Sequence, residues 1–155
     1  QVKAQQKRIR PSGSGSHDVF ISYASEDKNQ ANAICHFLEQ RGIRCWIAPR
    51  DIRPGLSYAE EIMRGIEGSR LMILVYSGRS DASQHCLREV ERAVHYKLTV
   101  VPVRIDDTEM SRNMEFLIGP NHWLDAMTQP LEQHLTGLAD AVERILEASS
   151  DQEDR

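Results

Sequence analysis

The segment SGRSDASQHCLREVERAVHY, residues 77–96, holds the densest group of side chains able to do chemistry. Ser83 is suited to cap a helix, and His85, Glu89, Arg92 and Tyr96 then follow at steps of four, three and four, which aligns them on one helix face. Cys86, Val90, Ala93 and Val94 form the opposite, packed face. Glu89 therefore falls near the helix start. On spacing alone such a glutamate is a solvated surface acid pairing with Arg92, and only a cleft in front of it would give it chemistry.

Two further loops carry reactive or charged groups. HDVFISYASEDK, residues 17–28, leaves an apolar run and reaches Ser25, Glu26 and Asp27, whose oxygens suit the opening amides of a helix. Tyr23 precedes them and could stack on a ring or fill the edge of the core. APRDIRPGLSY, residues 48–58, crowds Arg50, Asp51, Arg53, Pro54 and Gly55 into one turn-forming protrusion. Its arginines could pair with Asp51, be solvated, or grip phosphate.

Elements of alternating type must position these loops. Val19 to Ile21, Ile43 to Ile47, Leu71 to Tyr76 and Leu98 to Val103 are short, β-branched or aromatic, and apolar on successive residues, as strands buried on both faces are. A weaker fifth strand is expected at His122 to Asp125. Between them apolar residues recur at helical spacing: Ala31, Ile34, Cys35 and Leu38; Ile62 and Ile66; Cys86 to Val94; and Leu131, Leu135, Leu138, Val142 and Ile145. Alternating strand and helix predicts an α/β parallel sheet with helices on both faces, and ligands in such sheets bind beyond the carboxyl ends of the strands. Pro102 is the misfit, and the fourth strand is expected to end or bulge there.

The 155 residues suffice for one domain, with 19 Lys and Arg against 23 Asp and Glu. A net charge of −4 offers no general attraction to nucleic acid or anionic lipid. The longest apolar run, Leu71 to Tyr76, is too short to span a membrane. Cys35, Cys45 and Cys86 lack paired spacing, so reduced thiols, no structural zinc and a cytoplasmic setting are expected. Residues 1–16 read as a flexible basic and Gly/Ser leader, of the kind that joins a domain to an upstream sensor. The folded domain is expected over 17–148, and a disordered tail over 149–155.

Three of these segments resemble, in order, the signatures of the Toll/interleukin-1 receptor (TIR) domain family. HDVFISYASED resembles its first signature and RDIRPG the tip of its second loop. Ser83, Cys86, Glu89 and Val90, as SxxCxxEV, resemble the opening of its third helix. The WIAPRDIxPG form of the loop is similar to that of bacterial members. The resemblance covers about His17 to Leu146 and implies a flavodoxin-like five-stranded parallel sheet.

The family divides in function. Many bacterial and plant members and one animal branch cleave the nicotinamide–ribose bond of NAD+, some cyclising the ADP-ribose, whereas most receptor and adaptor members only assemble. For this chain the enzymatic branch implies NAD+ as substrate with no bound cofactor, Glu89 as the catalytic residue, and Tyr23, Ser25, Ser57 and His85 as substrate contacts. It also implies self-association through Arg50, Asp51, Arg53, Pro54 and Gly55, in a setting of immune or defence signalling. His85 stands where many enzymatic relatives have tryptophan, and Ala48 where some have an acid. The alternatives are a non-catalytic TIR–TIR interaction module and, more distantly, a nucleoside deoxyribosyltransferase.

Overall fold

A computed structural model describes residues 16–119 and 123–153. The expected leader, apart from Ser16, lies outside the described residues, as do His122 of the fifth strand and the last two residues of the tail. The strands are β1 (Val19–Ser22), β2 (Cys45–Trp46), β3 (Leu71–Tyr76), β4 (Thr99–Arg104) and β5 (Leu124–Asp125). Helices α1 (Lys28–Gln40), α2 (Tyr58–Glu67), α3 (Gly78–Asp81), α4 (Gln84–His95), α5 (Arg112–Ile118) and α6 (Leu135–Glu153) connect or follow them. Every pairing is parallel and the strand order is β2-β1-β3-β4-β5, a flavodoxin-like sheet.

Alternation along the strands divides the core in two. Val19, Ile21, Leu71, Ile73, Val75, Val101 and Val103 face α1 and α6, meeting Ile34, Leu38, Leu138 and Val142. Phe20, Met72, Leu74, Tyr76 and Val100 face α2, α4 and α5, meeting Ile66, Cys86, Val90, Ala93 and Met114. Each fully buried side chain of this size is worth about 1.5–3 kcal/mol relative to exposure. On the second face Phe20 and Trp46 stack at 4.9 Å with planes 7° apart. Gly65 of α2 lies directly over this pair, because a Cβ there would come within 2.6 Å of the Trp46 ring. The missing side chain is what lets α2 approach the sheet.

Three expectations are corrected. The fourth strand runs in register through Pro102, paired with Leu74, as far as Arg104. The missing amide is tolerated because β5 pairs β4 only at Val103 and Arg104, which leaves the neighbouring side of Pro102 without a ladder to break. The tail expected from residue 149 is helical to Glu153. Arg70 holds it by donating Nη2 to the Leu146 carbonyl and the Ser150 hydroxyl, both at 2.7 Å. On α4, Val94 is 38% exposed rather than packed.

Candidate functional site

The carboxyl end of β1, the start of the loop after β2, the first turn of α2 and the start of α4 surround a cleft of about 460 Å³. Phe20, Tyr23, Ser25, Ala48, Tyr58, Ile62, His85 and Glu89 are among the residues lining it. The position beyond the strand ends is the one that parallel sheets offer to ligands.

Helix α4 begins where Ser83 accepts the Cys86 amide at 3.2 Å, so its second turn lies across the end of β1. Glu89 sits in that turn and is 8% exposed, which corrects the expectation of a solvated acid paired with Arg92. Its partner is Ser22, whose hydroxyl donates to Glu89 Oε1 at 2.7 Å. No ion pair involving Glu89 occurs among the described residues. Burial therefore pushes its carboxyl above the ordinary range, with the Ser22 hydrogen bond and the nearby His85 offsetting part of the effect. A buried carboxyl that borders a cavity and has no ion-pair partner among the described residues is a candidate for chemistry rather than for bracing the fold.

The other walls are aromatic and polar. The Tyr23 hydroxyl donates to the Ala48 carbonyl at 2.6 Å, joining the end of β1 to the root of the second loop. Burial raises the Tyr23 phenol, and Tyr58 and Glu89 add to the shift. His85 is exposed on the rim; its Nε2 lies 3.4 Å from the Tyr23 carbonyl and its Nδ1 3.1 Å from the Ser83 hydroxyl. A single tautomer, Nε2–H donating and Nδ1 accepting, serves both contacts. Ser25 is exposed and also borders the cleft.

Ser57 does not line the cleft. It caps α2 by accepting the Glu60 amide at 3.4 Å, and the next residue, Tyr58, forms the wall with 57% of its surface exposed. Residue-type reasoning also passed over Ser22, whose role depends on a helix that returns to β1 many residues later.

The charged loop is braced by its own Asp51 and by acids on the helices either side of it. Arg50 donates to both carboxylate oxygens of Glu39 at 2.9 and 2.8 Å and to Asp51, while Asp51 accepts the Ile47 amide at 2.9 Å. Arg53 grips both oxygens of the buried Glu61 at 2.9 and 2.7 Å. Of the choices open to these arginines, pairing within the chain is what the fold displays. Pro54 and Gly55 stay exposed at the tip, with Gly55 at φ 81°.

The model of the TIR domain family matches residues 19–142. The chain belongs to the TIR domain family. Among curated relatives, TMV resistance protein N of Nicotiana glutinosa is 28% identical over 137 residues, covering 84% of this chain and 11% of that protein. The NAD(+) hydrolase PdTIR of Paracoccus denitrificans is 40% identical over 62 residues, 39% of this chain and 21% of its own length. A probable 2′ cyclic ADP-D-ribose synthase of Brachypodium distachyon, BdTIR, is 26% identical over 96 residues, 61% and 43% of the two chains. The TIR chain thus spans less than half of each of these relatives. The solved TIR domain of the Toll-related receptor TRR-2 from Hydra magnipapillata superposes with a TM-score of 0.69 at 26% identity, over 83% of this chain and 99% of that one. Among the described residues no helix is long and apolar enough to cross a membrane.

Proposed function

We propose that this TIR domain cleaves the nicotinamide–ribose bond of NAD+ as a glycohydrolase or cyclase, with Glu89 as its catalytic residue. The observation that carries the reading is a buried carboxyl, with no ion pair among the described residues, on the wall of a cleft lined mainly by aromatic and apolar groups, with Ser25 and His85 at its rim. Relatives named as an NAD(+) hydrolase and a cyclic ADP-ribose synthase support it.

The chemistry asks little beyond that carboxylate. Nicotinamide in NAD+ is bound through a cationic ring nitrogen, so the C1′–N bond breaks with its electron pair passing to that ring, and a neutral leaving group departs without a general acid. Positive charge then grows on the ribose. Glu89, ionised and held by Ser22, stabilises it electrostatically in a site of low dielectric. Attack at C1′ by water, with loss of a proton, gives ADP-ribose; attack by a nucleophilic atom of the adenine or ribose portions of the same molecule gives a cyclic product. Tyr23 and Tyr58 supply faces on which flat rings stack, and His85 and Ser25 supply polar contacts at the rim.

Self-assembly belongs to the proposal. Leu56 and Tyr58 are 50% and 57% exposed beside the loop tip, where a second copy could cover them and close the cleft to water. Nicotinamide release should therefore rise more steeply than linearly with protein concentration. Absence of release from assembled protein, or undiminished release by Glu89→Gln, would overturn the reading.

A further inference from the structure

Away from the cleft, α1 and β2 bring two thiols and a carboxylate together. Cys35 and Glu39 lie one turn apart on the same side of α1, and Cys45 opens β2. A donor atom from each of the three falls within 4.8 Å of the others. Both cysteines are free thiols, 4% and 2% exposed, whereas Glu39 reaches the surface. A shallow pocket of about 380 Å³, bordered by His17, Glu39, Cys45 and Arg50, brings solvent up to two members of the cluster, with Cys35 behind them.

Cationic charge already occupies its outer side. Arg50 Nη2 donates to Glu39 Oε2 at 2.8 Å, to the Cys45 carbonyl at 3.0 Å and to Asp51 Oδ2 at 2.9 Å. The backbone and carboxylate oxygens here are thus arranged to receive a positive ion. Sulfur held at about 2.3 Å and oxygen at about 2.1 Å by a tetrahedral centre would stand roughly 3.6–3.8 Å apart. The remaining gap is therefore at most about 1.2 Å, a distance that side-chain rotations span.

We propose that Cys35, Glu39 and Cys45 form a binding site for a thiophilic divalent cation of the zinc class, taken up in exchange for the Arg50 guanidinium. Two sulfurs and one carboxylate favour a borderline-soft ion over magnesium or calcium, and solvent in the adjoining pocket supplies the fourth ligand. Uptake forms two metal–sulfur bonds and releases the two thiol protons to buffer. Arg50 then leaves Glu39, while Asp51 keeps its bond to the Ile47 amide. The exchange alters the root of the second loop. This inference does not depend on the NAD+ reading.

The test is titration of the reduced chain with cobalt(II), read as the thiolate-to-cobalt charge-transfer band in the near ultraviolet. One saturable equivalent is expected, displaced by zinc, lost in Cys35→Ser and Cys45→Ser, and retained in Cys86→Ala. Glu39→Gln should keep the band while weakening binding beyond the ~10–100-fold typical of outer-sphere partners. Arg50→Ala should tighten binding several-fold by removing the competing cation. A wild-type chain without the band, a band that survives Cys35→Ser, or an affinity untouched by both Arg50→Ala and Glu39→Gln would each overturn the proposal. The last two substitutions change surface side chains, so they decide the matter even if the serine variants fail to fold.

Discussion

Glu61 and Glu89 are both buried, at 4% and 8% exposure, yet their surroundings treat them in opposite ways. Glu61 meets the guanidinium of Arg53 through two oxygens and takes the Arg53 amide as well. Its carboxyl is held down at about 2, chiefly by the Arg53 hydrogen bonds. Glu89 meets a single neutral hydroxyl and is pushed upward by burial. An acid that only braces a loop is neutralised where it stands. An acid left without a cation, facing a cavity, is what a reaction developing positive charge requires.

The comparison breaks most sharply at Glu89 itself. Glu89→Gln keeps an acceptor for the Ser22 hydroxyl and removes only the charge, so nicotinamide release should fall by about 10²–10³-fold with the fold intact. Ser22→Ala comes next. Losing a hydrogen bond to a charged group costs about 1.5–3 kcal/mol, so release should drop roughly tenfold or more, and the acid limb of its pH profile should move to higher pH as Glu89 becomes harder to ionise.

Thermal melts sharpen the contrast through its sign. The raised folded-state pKa of Glu89 gives stability that is complete below the ordinary carboxylate value of 4.5 and is lost as pH rises through the folded value. Glu61 is the reverse: its contribution is present above 4.5 and is lost as pH falls toward about 2. At pH 8, Glu89→Gln should therefore raise Tm, by about 2–4 °C for each kcal/mol of buried charge relieved, while Glu61→Gln lowers it. Both differences from wild type should shrink as the melts are repeated toward pH 3. Equal signs at pH 8 would mean that the two acids play the same part. The smallest effect is expected from Tyr23→Phe, which forfeits one hydrogen bond to Ala48, about 1 kcal/mol in a denaturant melt.

The sheet was legible because it rests on local pattern. Leu71–Tyr76 is a strand over the whole of its apolar run, and the buried residues of α1 are the four with helical spacing. Where an element depends on its neighbour, local pattern failed: Pro102 is accommodated by the shortness of β5, and β2 pairs over only Cys45 and Trp46 of a longer apolar run. The site divides in the same way. Resemblance pointed to Glu89, but helical spacing put it on the water side. The angle at which α4 crosses β1, and with it the contact to Ser22, is a tertiary fact. Tyr58 went unnoticed beside Ser57 because capping and wall-forming positions are adjacent at a helix start, and only the packing of Gly65 on Trp46 settles how α2 sits over the sheet. The proximity of Cys35, Glu39 and Cys45 was hidden from spacing rules because two elements supply it.

The hydrogen bond from Tyr23 to the Ala48 carbonyl makes one aromatic ring answer to events outside the cavity. A change in the path of the chain at Ala48 would therefore be felt by the ring that forms one side of the cleft. The aromatic wall of the cleft and the root of the charged protrusion are thus joined through a single phenol.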